Sequence, residues 1–135
     1  MTPTGYSGAP LAKKLGFKEG EPLWAKGMPE SVRAEIEQGA CPRYLARPGK
    51  DLGAAYLFHT KAAALAADLK KLRPLLAGGG MVWVSWPKKA ANVETDITED
   101  VIRKVALPMG YVDVKVCAVD ATWSGLKLVI RKALR

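Results

Sequence analysis

The side chains able to do chemistry are few. The chain has one histidine, His59, and two cysteines, Cys41 and Cys117. That is too few for a zinc framework or a disulfide scaffold, so no metal and no other cofactor is expected. Cys117 lies in an apolar stretch, where a cysteine acts as a small hydrophobe; Cys41 precedes Pro42 in a predicted loop. His59 with a carboxylate such as Asp120 would make an acid–base pair, with Ser124 or Thr60 as the reactive hydroxyl. The spacing does not demand that pairing. Ser85 is flanked by apolar residues and lacks the Gly-x-Ser-x-Gly elbow of an exposed nucleophile. A different grouping is suited to binding: Trp86, Lys88 and Lys89 in one segment, Asp120, Trp123 and Ser124 in another. Lysines offer point charges to an anion, and indoles offer a flat stacking face. Each also has a plainer use, in a solvated loop, in core packing, or, for Asp120, in making a turn.

Position decides between these uses, and the elements that set it follow from periodicity. Residues 7–16 read as a short helix with Pro10 in its first turn and Gly16 as its left-handed stop. Residues 21–25 make a doubtful strand because Pro22 interrupts them. A helix over residues 29–38 turns Val32, Ile36 and the stem of Arg33 inward, and residues 41–50 form a loop around a short extended piece. Residues 54–59 are a short apolar run, read as a buried strand. Leu65, Leu69, Leu72 and Leu76 recur at spacings of four, three and four, which predicts a helix over residues 61–77, kinked or tightened at Pro74. Gly78–Gly80 ends that helix, so it cannot be a phosphate loop, which must precede a helix. Residues 81–86 are the clearest strand, apolar enough to be covered on both faces. Asp96 and Glu99 resemble a capping box opening the next helix, which buries Ile97, Val101, Ile102 and Val105. Residues 112–119 and 125–131 are strands joined by a turn, hence a hairpin with an antiparallel last strand.

This order predicts an α/β fold: a small three-layer Rossmann-like domain with a mostly parallel sheet and an antiparallel C-terminal strand. A single domain over residues 1–135 is expected, with residues 1–20 as an N-terminal helical arm and residues 51–135 as the best-defined core. In such sheets ligands bind beyond the carboxyl ends of the parallel strands. That rule gathers His59, Thr60, Trp86, Lys88, Lys89, Asp120, Trp123 and Ser124 on one rim. Ser7 and Lys13 join them if the N-terminal helix packs over it.

Composition bounds the rest. Of 135 residues, 49% are hydrophobic and 25% charged, an ordinary globular mixture. No apolar run reaches the roughly 18 residues of a membrane span. The start lacks the pattern of an export signal, and a cytoplasmic protein is expected. Lys and Arg number 21 against 13 Asp and Glu, a net charge of +8. The positive residues come in pairs: Lys13-Lys14, Lys70-Lys71, Lys88-Lys89, Arg103-Lys104 and Arg131-Lys132. Such pairs keep nucleic acid open as a partner on electrostatic grounds alone. An exposed sheet edge would make a homodimer plausible.

Several blocks resemble a known family. Gly5-Tyr6-Ser7-Gly8 leading into Pro10-Leu11-Ala12-Lys13-Lys14-Leu15-Gly16, then Trp83-Val84-Ser85-Trp86-Pro87-Lys88-Lys89, then residues 112–120 and Trp123-Ser124-Gly125-Leu126-Lys127, resemble the uncharacterised bacterial domain-of-unknown-function family 3052. The resemblance spans nearly the whole chain, is weakest over residues 21–51, and implies no activity. More loosely, the order of elements over residues 56–132, with Leu75-Leu76-Ala77-Gly78-Gly79-Gly80-Met81-Val82-Trp83 as its helix–glycine–strand passage, is similar to the C-terminal half of Rossmann-type methyltransferases. The cofactor half is not matched: where a glycine-rich loop belongs the chain has Trp24-Ala25-Lys26-Gly27-Met28-Pro29.

The residues therefore lead to a non-enzymatic binding or interaction module, with a small anionic ligand or a protein partner at the Lys88–Trp123 rim. The alternatives are an enzyme on a reduced methyltransferase-like scaffold and a basic nucleic-acid-binding domain.

Overall fold

The computed structural model describes residues 10–135. The first helix, α1 (Leu11–Leu15), is stopped by Gly16 at φ 80°, a backbone region costly for any residue with a Cβ. Its predicted opening at Ser7 or Gly8 lies outside the described residues. β1 (Pro22–Lys26) is a full strand, because Pro22 is its first residue, where a missing N–H removes no ladder bond. α2 (Glu30–Glu37) buries Val32 and Ile36, as its period predicts. Arg33 instead stays half-exposed and lies over the ring of Tyr44, 4.2 Å from its centroid. β2 (Arg43–Tyr44), β3 (Leu52–Phe58), α3 (Ala62–Leu72), β4 (Leu76–Pro87), α4 (Glu99–Ala106), β5 (Tyr111–Ala118) and β6 (Trp123–Ile130) complete the order.

The sheet runs β2-β1-β3-β4-β6-β5. β1 to β4 are mutually parallel, and β6 is antiparallel to both β4 and β5. The fold is thus the three-layer α/β arrangement the sequence predicts. One core, on the α3 and α4 face, includes Leu57, Leu65, Leu69, Leu72, Val84, Trp86 and Ile102; the other, under α1 and α2, includes Leu15, Ile36, Tyr56, Trp83 and Val119. Buried polar atoms stitch the layers. Trp83 Nε1 donates to the Leu15 carbonyl at 2.7 Å, Tyr111 Oη to the Leu69 carbonyl at 2.6 Å, and Tyr56 Oη shares a 2.8 Å bond with Ser85 Oγ.

Three expectations are corrected. α3 ends at Leu72 rather than at residue 77, because Pro74 has no N–H to continue the helical ladder. The glycines at 78–80 lie inside β4 and do not end the helix. They occupy an irregular stretch of the β3–β4 pairing, whose register moves from Leu52↔Leu76 to Ala54↔Met81. A Cβ on Gly80 would lie 2.7 Å from the Leu52 carbonyl oxygen, so the strands approach closely only because residue 80 is glycine. Asp96 caps α3 by accepting the Ala62 N–H at 2.7 Å, while Thr98 is the cap of α4, its hydroxyl accepting the Val101 N–H.

β5 carries one further irregularity. Its pairing with β6 shifts between Asp113 and Lys115, leaving Val114 as the extra residue. The bulge inverts the alternation, so Tyr111 belongs to the α3–α4 core and Cys117, six residues on, to the α1–α2 core.

Candidate functional site

The carboxyl ends of β1, β3, β4 and β5 share one rim of the sheet, and the residues predicted there divide by burial. Trp86 is only 8% exposed and packs in the α3–α4 core beside Ile97, so it offers no stacking face. Asp120 makes the turn between β5 and β6: its Oδ1 accepts the N–H groups of Thr122 and Trp123, both at 2.8 Å. It does not reach His59 as a pair. The Thr60 carbonyl accepts Thr95 Oγ1 and the Asp96 N–H, which ties the segment before α4 to the end of β3. Trp123 stands edge-on to the Phe58 ring at 5.2 Å on the α1–α2 face, and Ser124 is half-buried in β6, paired across the strand with Trp86. Lys88 donates its backbone N–H to the Thr122 carbonyl, and Lys89 is exposed.

His59 has a different carboxylate from the one proposed for it. Its Nε2 lies 2.7 Å from Oδ2 of Asp68 on α3, and Lys26 Nζ at the end of β1 lies 2.9 Å from Oδ1 of the same residue. Asp68 and His59 are both nearly buried, with side chains 8% and 9% exposed, whereas Lys26 is half-exposed. A buried charge must be matched, and here one carboxylate ties together the ends of two strands and a helix. The sequence carried a signal for it. Asp68 follows Leu65 by three residues and precedes Leu72 by four, so helical period places it on the stripe that packs inward.

Between β1 and β3 the strand order reverses, the place where open α/β sheets bind ligands. On this side the crevice is closed. Gly27 has φ 73°, and a Cβ there would lie 2.9 Å from the Phe58 carbonyl oxygen. The Lys26–Asp68–His59 group fills the α3 side. Open space lies instead on the β2 side of β1. A cavity of about 330 Å³ is lined by Ala25, Gly27, Met28, Arg33, Tyr44 and Leu45. Arg33 Nε donates to Glu37 at 2.9 Å, which fixes the guanidinium over Tyr44, and this bond raises its proton affinity. The Tyr44 hydroxyl is buried with no hydrogen-bond partner among the described residues. Burial, with the charge of Glu37 behind it, pushes its pKa up, so it remains a neutral donor. Sequence reading missed Arg33 and Tyr44 as site residues, because they meet only when α2 packs beside β2.

A separate group lies toward the other end of the rim. Cys117 is 5% exposed, and burial raises its pKa while the charges of Lys14, Lys115 and Lys88 pull it back. α1 does pack here: Lys14 Nζ donates to the Ala118 carbonyl and Lys115 Nζ to the Lys14 carbonyl. Among the described residues there is no cluster of His, Cys, Asp and Glu that could hold a metal, and no helix long and apolar enough to cross a membrane.

Several solved structures share this architecture. A SAM-dependent methyltransferase from Aquifex aeolicus superposes with a TM-score of 0.62 at 12% identity, covering 89% of this chain and 87% of that one. The 1,6-didemethyltoxoflavin-N1-methyltransferase of Burkholderia thailandensis, with S-adenosylhomocysteine bound, gives 0.58 at 14% identity over 89% and 74%. Magnesium protoporphyrin IX methyltransferase from Synechocystis, with SAM bound, gives 0.56 at 14% identity over the same shares. The fold is of the methyltransferase type. At these identities the likeness is one of architecture. No family model and no curated protein matches the sequence, so the resemblance to family 3052 finds no support.

The likeness corrects one expectation: the strand–helix–strand unit of the N-terminal half is present as β1, α2 and β2. Its residues do not fit S-adenosylmethionine. That cofactor carries a sulfonium, an ammonium and a carboxylate, and its ribose hydroxyls call for an acceptor, commonly a carboxylate about 20 residues beyond the glycine loop. Residues 38–50 contain no Asp or Glu, and residue 47 is an arginine. The charged side chain in the cavity wall is Arg33, a cation, which would meet the carboxylate and leave the sulfonium, ammonium and ribose without an acceptor.

Proposed function

We propose that this chain is a small-molecule enzyme on the methyltransferase-type scaffold, with its ligand in the groove off the carboxyl ends of β1 and β2. The position of the 330 Å³ cavity carries the reading. It opens beside the strand where the order reverses, and its volume falls within the roughly 300–1,000 Å³ of small-molecule pockets. His59, at the end of β3, is not among the residues of the cavity wall; its pairing with the buried Asp68 ties β3 to α3. Methyl transfer is the reaction named for the three structural neighbours cited; for this chain it is a reaction to assay, and the cavity wall argues against their cofactor.

The test follows the thermal midpoint of the full chain against S-adenosylmethionine, S-adenosylhomocysteine, nucleosides and nucleotides. A bound ligand raises the midpoint by mass action. Met28→Trp, which fills the cavity, is expected to abolish the shift. No ligand shift, or one indifferent to Met28→Trp, removes the reading.

A second reading is a non-enzymatic module binding a small anion or a protein partner at the Lys88–Trp123 rim. It is favoured by the gathering of Lys14, Lys88 and Lys115 about Cys117. It predicts that Lys88→Ala with Lys115→Ala abolishes partner recovery and leaves the fold intact; unchanged recovery rejects it. Nucleic acid has less support, because Lys13 and Lys14 lie on the α1 face and Lys70, Lys71, Arg103 and Lys104 on the helices of the opposite face.

A further inference from the structure

The charged side chain in the wall of the β1–β2 cavity is Arg33, which presents only hydrogen-bond donors. Arg33 commits only its Nε, to Glu37, so the outer edge of the guanidinium, with its two Nη groups, has no hydrogen-bond partner among the described residues. That edge is the fork that receives a carboxylate or phosphate through two parallel bonds. The Tyr44 ring lies beneath the guanidinium, and its hydroxyl is buried out of a ligand's reach. No carboxylate lines the space. Ala25, Met28 and Leu45 supply the apolar surface against which a flat ring can lie.

From this donor-only wall we propose that the cavity takes a planar, anionic ligand of the nucleotide-phosphate class and discriminates against S-adenosylmethionine, an inference that rests on the cavity being the ligand site. The phosphate accepts from the Nη edge of Arg33, and the ring rests on Met28 and Leu45. The absence of a carboxylate from residues 38–50, where a ribose would otherwise be held, agrees with a ligand gripped by its anionic group. A sulfonium cation meets no compensating charge here.

The experiment is isothermal titration of the full chain with adenosine 5′-monophosphate, adenosine, S-adenosylmethionine and inorganic phosphate. Two variants are used: Arg33→Gln and Met28→Trp. The monophosphate is expected to bind at least tenfold tighter than adenosine, and S-adenosylmethionine more weakly than either. Arg33→Gln should erase the tenfold advantage and leave adenosine unchanged. S-adenosylmethionine binding more tightly than the monophosphate, with Met28→Trp abolishing it, overturns the anionic preference and leaves the cavity as the site. Binding of the monophosphate that survives Arg33→Gln and Met28→Trp overturns the inference and moves the anion to the lysines near Cys117. Inorganic phosphate binding as tightly as the monophosphate overturns the requirement for a planar ring. No binding by any probe overturns both the inference and the site.

Discussion

Asp68 is buried to 6% exposure on α3 and accepts from residues at the ends of two different strands. Asp68→Ala would strand the His59 ring without its partner in a nearly buried setting. We expect a loss of about 1–3 kcal/mol, the usual cost of an orphaned buried polar group, measured by urea unfolding; Lys26→Ala should cost less, because that side chain is half-exposed and its carboxylate keeps His59. A second carboxylate sets a pH dependence. Arg103 Nε donates to Asp113 Oδ2 at 2.9 Å and holds that carboxyl below the ordinary range. A folded-state pKa lowered in this way contributes stability above the unfolded value of about 3.9, and that contribution is lost as pH falls through the folded value. Asp113→Asn should therefore destabilise at pH 7 and approach the parent protein by pH 3. An equal deficit at both pH values would contradict the pairing.

Two close approaches between strands each depend on a glycine. At Gly27 the left-handed backbone and the nearby Phe58 carbonyl both refuse a Cβ; at Gly80 the Leu52 carbonyl does so alone. Gly27→Ala is expected to cost about 1–3 kcal/mol, the scale of a non-glycine residue held in a sparsely populated region. Gly80→Ala should also destabilise, by forcing β3 and β4 apart. Neither substitution should matter at Gly49, where a Cβ meets nothing within 4 Å, so Gly49→Ala serves as the control in the same thermal scans. The bulge at Val114 has its own consequence. It aims Cys117 and Lys115 toward α1, and together with an exposed Lys115 it blunts the outer edge of β5.

At the scale of the molecule, a net charge of +8 does not amount to a nucleic-acid surface. Charge of one sign acts on DNA when it is collected along a groove or face, and here the basic pairs sit on both sides of the sheet. Binding to a short duplex should be detectable at low salt and lost near physiological salt, read by fluorescence anisotropy across a salt series. Affinity that persists at 150 mM salt would require a contiguous basic face. The cavity reading makes the opposite prediction for its ligand, because a fork contact in a walled groove is screened less than a surface contact.

Local rules determined much of this protein without any tertiary information. Apolar runs and the Leu65–Leu69–Leu72 stripe identify β3, α3 and β4. The short link at Asp120 identifies the hairpin, and the order of elements gives the α/β class. The weak signals lay where local preference and tertiary context disagree. Pro22 marks a strand start or a strand break depending on neighbours that only β2 and β3 supply. Gly78–Gly80 reads as punctuation until the approach of the Leu52 carbonyl explains it. The rim was legible as a rim, but its chemistry was not. Side chains distant in sequence became partners through packing: His59 with Asp68 and Lys26, Arg33 with Tyr44. Trp86 and Asp120 were meanwhile taken up by core and turn. Periodicity reports which way a side chain points, and only the packing of one element on another reports what it meets.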